Sequence, residues 1–486
     1  MRYSVAMSNS IDAELRSHLL QHGRRQEDVC FALWSPSQGN TRYTGLINRV
    51  LLPKADERLL HGNASFLPDY FDRALAEAMG RNCGLALLHS HPDGDLWQKM
   101  SADDTAAEIG RAPAAKALTG LPLLGMTLAG DGTWSARFWP KRGPRDYRRK
   151  DCESVRVVGQ ELKVSFNDDL LPPEGFRPEL TRTVSAWGPR VQRKIARLKV
   201  GIVGLGSVGS LIAESFARMG VSHIYLIDFD SIERINLDRV LHSNRSDVNR
   251  YRSKVDIAKQ SLIRSATAAR FKVDAFEHSI VEEAGFRAAL DCDVLFSCVD
   301  RPWPRSVLNF IAFVHLIPVV DGGLAIMARP NGLGLYRADW KVHVAAPSRQ
   351  CLECLKQYDS GFVAMERDGY LDDPTYIAGL PDAHPAKRNE NVFAFSMAAA
   401  SAEVLQFLSM VVAPFGIADP GTHMYHFVTA SFDVDYGRCA TLCAFPPLTA
   451  LGERAPYIVT GKHIRAAMER ASRNKWWRRA RRWLPI

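Results

Sequence analysis

The sequence has no apolar run of about 18 residues, so no membrane span is expected. Its first residues, MRYSVAMSNSIDAELR, contain no apolar core, and nothing in them points to secretion. Cysteine is scarce, with nine residues in 486, an odd number. This argues against a disulfide framework and for a reducing, cytoplasmic setting, with thiols unpaired or on metal. Most of the chain also lacks net charge. The formal total is +9, and Leu451 to Ile486 holds ten Lys or Arg against two Glu, which is +8 of it. The basic balance therefore says nothing about the folded domains. At this length one core does not suffice, and two or three domains are expected.

The richest stretch runs from Lys199 to Arg239. An apolar run, Val200 to Val203, is bounded by glycine and reads as a buried parallel strand. Gly204-x-Gly206-x-x-Gly209 follows, then a helical pattern to about Met219. A second apolar run, His223 to Ile227, ends in Asp228. Glycines let the backbone turn tightly against a phosphate, and the helix N-terminus offers unpaired N–H groups. Asp228 sits where a carboxylate meets ribose hydroxyls. Alone, the pattern reads as a dinucleotide site, and an NAD-dependent oxidoreductase is one alternative.

The next residues change that. Asp228-Phe-Asp230-x-Ile-Glu-x-x-Asn236-Leu-Asp-Arg239 resembles the "DxDxVxxxNLxRQ" stretch of ubiquitin-activating (E1-like), ThiF-type adenylyltransferases. Lys254 in "YRSKVDIA" resembles that family's "GxxKAExA" lysine. Asp300, ending "DVLFSCVD", resembles its "CxDN" acid. Arg182 and Gln192 stand at nearly the spacing of its lead-in. Ser207 replaces a usual third glycine. The resemblance spans roughly residues 180 to 445. It implies a Rossmann-like α/β domain with a mostly parallel sheet, which binds ATP and Mg²⁺ and adenylates the C-terminus of a ubiquitin-like protein. Lys254 and Arg239 would neutralise phosphates, Asp300 would hold magnesium, and Arg182 would come from a second subunit of a homodimer.

Residues 1 to about 145 read as a first α/β unit. Helices are expected at Ile11 to His22 and in "FLPDYFDRALAEAMG". Strands are expected at Val29 to Trp34, Gly45 to Leu52 and Leu85 to Leu88, with a hairpin at Gly130-Asp131-Gly132. His89-x-His91-Pro followed by Ser101-x-x-Asp104 resembles the JAMM (MPN, JAB) metallo-isopeptidase motif. Two imidazoles and a carboxylate suit zinc and leave one position open for water. Glu27 matches the family's early glutamate base, with Asp28 and Glu57 as alternatives, and Ser101 its oxyanion donor. The gap from His91 to Asp104 is longer than usual, around Leu96-Trp97-Gln98. The ordinary readings are a helix capping box at Ser101-x-x-Asp104 and a decorative His pair at a strand end. The proline and the early glutamate favour the metal site over these.

Cys351-x-x-Cys354 and Cys439-x-x-x-Cys443 resemble the structural zinc pairs of ThiF-type enzymes, the second with one extra residue. Gly322-Gly323 reads as a turn. In the family, the crossover region after the first pair carries a thioester cysteine, but none stands between Cys354 and Cys439. Either the reaction stops at the adenylate or another nucleophile serves, and Ser396 is the candidate, opening a helix. The ordinary role of serine there is a cap.

The domain reading is 1–150 peptidase, 151–178 charged linker, 179–450 adenylyltransferase and 451–486 basic tail. The tail would meet a membrane surface, nucleic acid or an acidic partner, or remain solvated. The functional reading is activation of a ubiquitin-like protein joined to zinc-dependent cleavage of its precursor or conjugates, with a conjugating enzyme as a further partner. The alternative is sulfur-carrier adenylation with a maturation peptidase.

Overall fold

The computed structural model describes residues 1–23, 25–329, 334–379, 390–456 and 459–481. They form two compact units. The first comprises Met1–Pro173, Val314–Leu316 and Pro447–Pro456, and the second is the rest of the described chain.

The first unit holds β1 Arg2–Ser8, β2 Val29–Gln38, β3 Arg42–Leu51, β4 Arg58–His61, β5 Asn63–Phe66, β6 Gly84–His91 and β7 Leu123–Ala129. It continues with β8 Trp134–Trp139, β9 Lys141–Gly143, β10 Asp146–Tyr147, β11 Lys150–Asp151, β12 Ser154–Val158 and β13 Leu162–Phe166. Nine of these make one sheet, ordered β11-β8-β7-β6-β2-β3-β1-β12-β13. Both faces are buried. One face packs Trp34, Trp134 and Phe138 under the helix Asn9–Leu19. The other packs Phe31, Tyr70 and Trp139 under the helices Pro68–Gly80 and Ala102–Thr119. The expected hairpin is present as the β7–β8 pair.

The domain boundaries need correction. Residues 151–166 are not linker, since β12 pairs parallel with β1 and antiparallel with β13. The basic residues there mislead because Arg156 is fully buried while its neighbours Val155 and Val157 supply the strand's apolar content. β1 also escaped notice, because RYSVAMS alternates too weakly to stand out from a leader. The tail does not start at Leu451. Gln38 N donates to Glu453 Oε1 at 3.0 Å, and Arg454 Nη1 to Ser35 Oγ at 3.1 Å, so residues 447–456 belong to the first unit.

The second unit has an eight-stranded sheet built from β14 Lys199–Val203, β15 His223–Ile227, β16 Lys272–Phe276, β17 Val294–Ser297, β18 Val319–Ala328, β19 Leu335–Ala345, β20 Thr422–His426 and β21 Ser431–Asp435. The order is β16-β15-β14-β17-β18-β19-β20-β21, with the first five strands parallel. This is the Rossmann-like α/β sheet expected. Gly322-Gly323 is not a turn, because β18 runs straight through it. A Cβ on Gly322 would stand 2.0 Å from Glu403 Oε1, so glycine lets the helix Phe393–Val412 lie close. That helix is long and apolar enough to cross a membrane, which an unbroken apolar run does not detect. Half of it is buried, and Phe407 packs against Phe216 and Phe296 at ring distances of 5.1 and 5.9 Å, as a core helix does.

Candidate functional site

Three groups of side chains stand out, two in the second unit and one in the first. In the second unit, the turn after β14 starts at Gly204 with φ +92°, where a Cβ would meet the Cys298 carbonyl oxygen at 2.4 Å. A Cβ on Gly209 would meet the Gly204 carbonyl oxygen at 1.9 Å, so this glycine closes the helix Ser207–Arg218 onto the turn. Gly204 and Gly206 line a cavity of 1510 Å³, whereas Gly209 shapes the turn behind it.

The acid pair and the lysine meet in the same cavity. Asp228 Oδ2 accepts from Leu205 N at 2.5 Å and Oδ1 from Asp230 N at 2.7 Å. Burial pushes the Asp228 carboxyl up to about 6, against the pull of Lys254. Lys254 Nζ donates to Asp230 Oδ2 at 2.8 Å. Burial opposes both charges of that pair, but attraction prevails: Lys254 holds Asp230 below the ordinary carboxylate value, and Asp228 together with Asp230 holds Lys254 above the ordinary lysine value. Asp230 thus positions Lys254. Asn236, Arg239 and Asp300 line the same walls. Asn236 accepts from Glu233 N at 3.0 Å, and Arg239 Nη1 donates to Ile235 O at 2.7 Å, so both fix the short loop after β15.

Two expected residues lie elsewhere. Arg182 is exposed on the helix Thr181–Trp187 and does not line this cavity. Ser396 does not open its helix. It is 0 % exposed inside Phe393–Val412, and its hydroxyl donates to Asn391 Oδ1 at 2.9 Å. The serine is therefore enclosed rather than poised at a helix start, and it does not line the cavity. Asn391 also donates to Ser207 Oγ at 3.0 Å, so the serine in place of glycine gains a partner.

Sequence reasoning missed Arg305, whose guanidinium donates to Asp321 Oδ1 at 2.8 Å and to Val299 O at 2.9 Å, framing the Asp300 side. It also missed His463 and Arg465, which line the cavity from the supposed tail. Only their basic composition was visible in the sequence.

In the first unit, β6 ends on the two histidines, both on one face of the strand by its two-residue period. The helix Ala102–Thr119 brings up Asp104 through its capping box. Asp104 N donates to Ser101 Oγ and Ser101 N to Asp104 Oδ2, each at 3.0 Å. His89 Nε2 and His91 Nε2 stand 3.2 Å apart, each 3.5 Å from an Asp104 oxygen. Ligand atoms of all three lie within 4.8 Å of one another. Glu27 Oε1 is 4.0 Å from His91 Nε2. The alternatives are engaged elsewhere: Asp28 with Arg58 and His22, Glu57 with Arg73.

Burial, with Arg137 nearby, pulls His89 down to about 3 and keeps it neutral. Asp104 raises His91 above its ordinary value. Burial, helped by Asp104, raises Glu27. The longer loop supplies Gln98, whose Oε1 accepts from His91 Nδ1 at 3.2 Å. That bond turns Nε2 toward Asp104, the outer support a metal-binding histidine usually has.

A third cluster is sulfur only. Cys351, Cys354, Cys439 and Cys443 bring their Sγ atoms within 4.8 Å, with Cys351 and Cys443 3.6 Å apart. No disulfide joins them. A tetrahedral zinc with bonds near ~2.3 Å sets sulfurs ~3.8 Å apart. Backbone N–H groups already aim at the sulfurs, Cys351 N at Cys439 Sγ (3.1 Å) and Cys354 N at Cys351 Sγ (3.3 Å).

The sequence pattern of the ThiF family matches residues 180–426. Ubiquitin-like modifier-activating enzyme 5 of Xenopus laevis is 29% identical over 126 residues, 24% of this chain and 31% of that protein. Sulfur carrier protein ThiS adenylyltransferase of Escherichia coli K12 is 26% identical over 167 residues, 33% of this chain and 64% of that protein. The chain therefore spans from about a third to just under two thirds of the length of these relatives. Among solved structures, E. coli MccB with a MccA peptide covers 56% of this chain and 75% of its own, at 16% identity and a TM-score of 0.43. An NAD-dependent oxidoreductase finds no support in these likenesses. On the span of its sequence match, which takes in the glycine turn, Lys254, Asp300 and the first cysteine pair, the chain belongs to the ThiF family.

Proposed function

We propose that this chain adenylates the C-terminal carboxylate of a ubiquitin-like protein and that its first unit cleaves that protein's precursor or conjugates. The observation that carries the first half is the single cavity shared by the glycine turn, Asp228, Lys254, Arg239 and Asp300. Asp228 holds the ribose hydroxyls of ATP. Backbone N–H groups at the start of the helix Ser207–Arg218 take phosphate oxygens. Lys254, set by Asp230, and Arg239 bring positive charge along the triphosphate. Asp300 would hold Mg²⁺, which screens the phosphate charge. The partner's carboxylate oxygen attacks the α-phosphorus, the bond to the β-phosphate breaks, and pyrophosphate leaves. The exposed Arg182 would serve the cavity of a second copy in a homodimer.

The second half rests on the donor set of His89, His91 and Asp104, which fits a zinc ion with one position open. Zinc held there supplies Lewis acidity to water and to the scissile carbonyl. Glu27 takes the proton from water and passes it to the leaving amine, while Ser101 sets Asp104 and donates toward the oxyanion. A second zinc on the four cysteines is structural. A reaction that ends at the adenylate, as for a sulfur carrier, is favoured by two observations: the crossover has no cysteine and Ser396 is enclosed. A conjugating enzyme would be needed only in the other version.

The test is ATP–pyrophosphate exchange with a small protein ending in glycine. Exchange is expected, and Asp300→Ala should abolish it. Tight NAD binding without exchange would sink the proposal.

A further inference from the structure

The C-terminal segment is built into the nucleotide cavity. Gly461 N donates to Val281 O at 2.7 Å, and Trp303 Nε1 to Val459 O at 3.1 Å, so this segment bridges the loop after β16 and the start of the helix Pro302–Val314 that follows β17. The helix Ile464–Arg481 is then fastened down. Arg470 grips both oxygens of Glu282 at 2.8 and 2.6 Å. Arg473 donates to Phe229 O and Ser231 Oγ, each at 2.8 Å, and to Glu277 at 3.0 Å. Glu469 accepts from Ser231 N at 3.2 Å.

His463 is the residue this arrangement presents. It lines the cavity, is 8 % exposed, and its Nδ1 has no hydrogen-bond partner. Its ring stands edge-on to Phe229 at 4.8 Å and to Trp303 at 6.2 Å, which holds its plane. Burial pulls its pKa below the ordinary histidine value, so the ring is neutral. A buried polar nitrogen left unpaired is costly, and native structures keep few of them without a reason.

Sheet order says which part of a nucleotide reaches it. Phosphates belong at the turn after β14 and the ribose at Asp228 after β15. The next strand in that direction is β16, whose following residues His278, Ser279 and Ile280 wall the far end of the cavity. On the adenylation reading the base would lie there, beside His463. We propose that His463 reads the edge of the bound base through Nδ1, with Arg465 lining the same cavity 3.6 Å from Asp230. The C-terminal segment is then a specificity wall of the nucleotide site. This rests on the adenylation reading.

The test is calorimetric titration of the full chain with a non-hydrolysable ATP analogue and, separately, with inorganic tripolyphosphate. His463→Phe keeps the ring shape and removes both nitrogens. It should weaken the analogue roughly tenfold, the size of one hydrogen bond left unmade, and leave tripolyphosphate unchanged. His463→Gln should restore part of the loss. Equal weakening of both ligands, or of neither, overturns the inference. A second measurement uses the unaltered chain with 1-deaza, 7-deaza and 6-desamino forms of ATP. One of them should bind roughly tenfold more weakly than ATP, and equal affinity for all would overturn the inference even if His463→Phe fails to fold. An unaltered chain that binds no ATP analogue at all would overturn the adenylation reading itself, a result distinct from binding that ignores His463.

Discussion

The histidine cluster and the cysteine cluster put three and four potential ligand atoms within the same 4.8 Å, yet they differ in their last corner. At the cysteine cluster four sulfurs from the chain stand together, and backbone N–H groups aim at two of them. At the histidine cluster, among the described residues, three side chains supply the group, and Glu27 stands 4.0 Å from His91. Gln98 and Ser101 hold the ligands from behind. Ligand count alone does not separate a structural site from a catalytic one. What separates them is whether the last corner is filled by the chain, and whether a proton acceptor stands beside it.

The comparison breaks most visibly on stability. Cys351→Ala should lose one zinc and lower the melting temperature of the adenylation unit by on the order of 10–20 °C, since structural zinc contributes directly to folding. His91→Ala should lose the other zinc and leave that melting transition in place. Metal analysis beside calorimetry of the two variants checks both, and a single zinc that vanishes with His91→Ala would remove the cysteine site. The next effect is kinetic. Glu27→Gln should keep its zinc and lose cleavage of a partner–reporter fusion by roughly 10²–10⁴-fold, the usual worth of a positioned base. Normal cutting would show that the base lies elsewhere. Gln98→Ala should cost less, roughly 10–100-fold in zinc affinity or cleavage, as outer-shell losses do; a metal titration reads it.

The smallest effects lie away from both clusters. Ser396→Ala should leave any covalent adduct of the partner unchanged in amount, because its hydroxyl faces Asn391; an adduct that disappears in mass spectra of that variant would restore the serine as nucleophile. The clamp from Arg470 to Glu282 should open only in acid. Burial would raise the Glu282 pKa, but Arg470 and the Ser279 N–H outweigh it and hold the folded value below the ordinary one. Its stabilising share is therefore complete above the ordinary glutamate value of about 4.3 and is lost as pH falls through the folded value. Fluorescence of Trp303, which donates to Val459, should shift only below that point.

The local motifs were legible in the sequence where chemistry forces residue type. Gly204 and Gly209 must be glycine because a Cβ would strike a carbonyl oxygen, and that necessity leaves a pattern. His89, His91 and Asp104 stand out by their spacing, and the structure brings them together. Three kinds of feature were not. Strand β12 hid behind the buried Arg156, whose charge reads as surface. Gly322 looked like a turn because nothing local reveals Glu403 lying against it. The C-terminal segment is legible as a basic helix, but where it docks is not, since the partners of Arg470 and Arg473 lie nearly 200 residues earlier in the chain. Periodicity reports which side of an element is apolar, and says nothing of what that side will meet.

The central claim is that one chain adenylates a partner's carboxylate in the cavity around Asp228, Lys254 and Asp300. The most direct measurement is intact mass spectrometry of the small protein after incubation with this chain, ATP and magnesium, with pyrophosphate exchange read in parallel. The expected result is a partner heavier by one adenylate, or exchange dependent on that partner, with both lost in Asp300→Ala. A partner of unchanged mass, with no exchange from any small protein ending in glycine, would contradict the account.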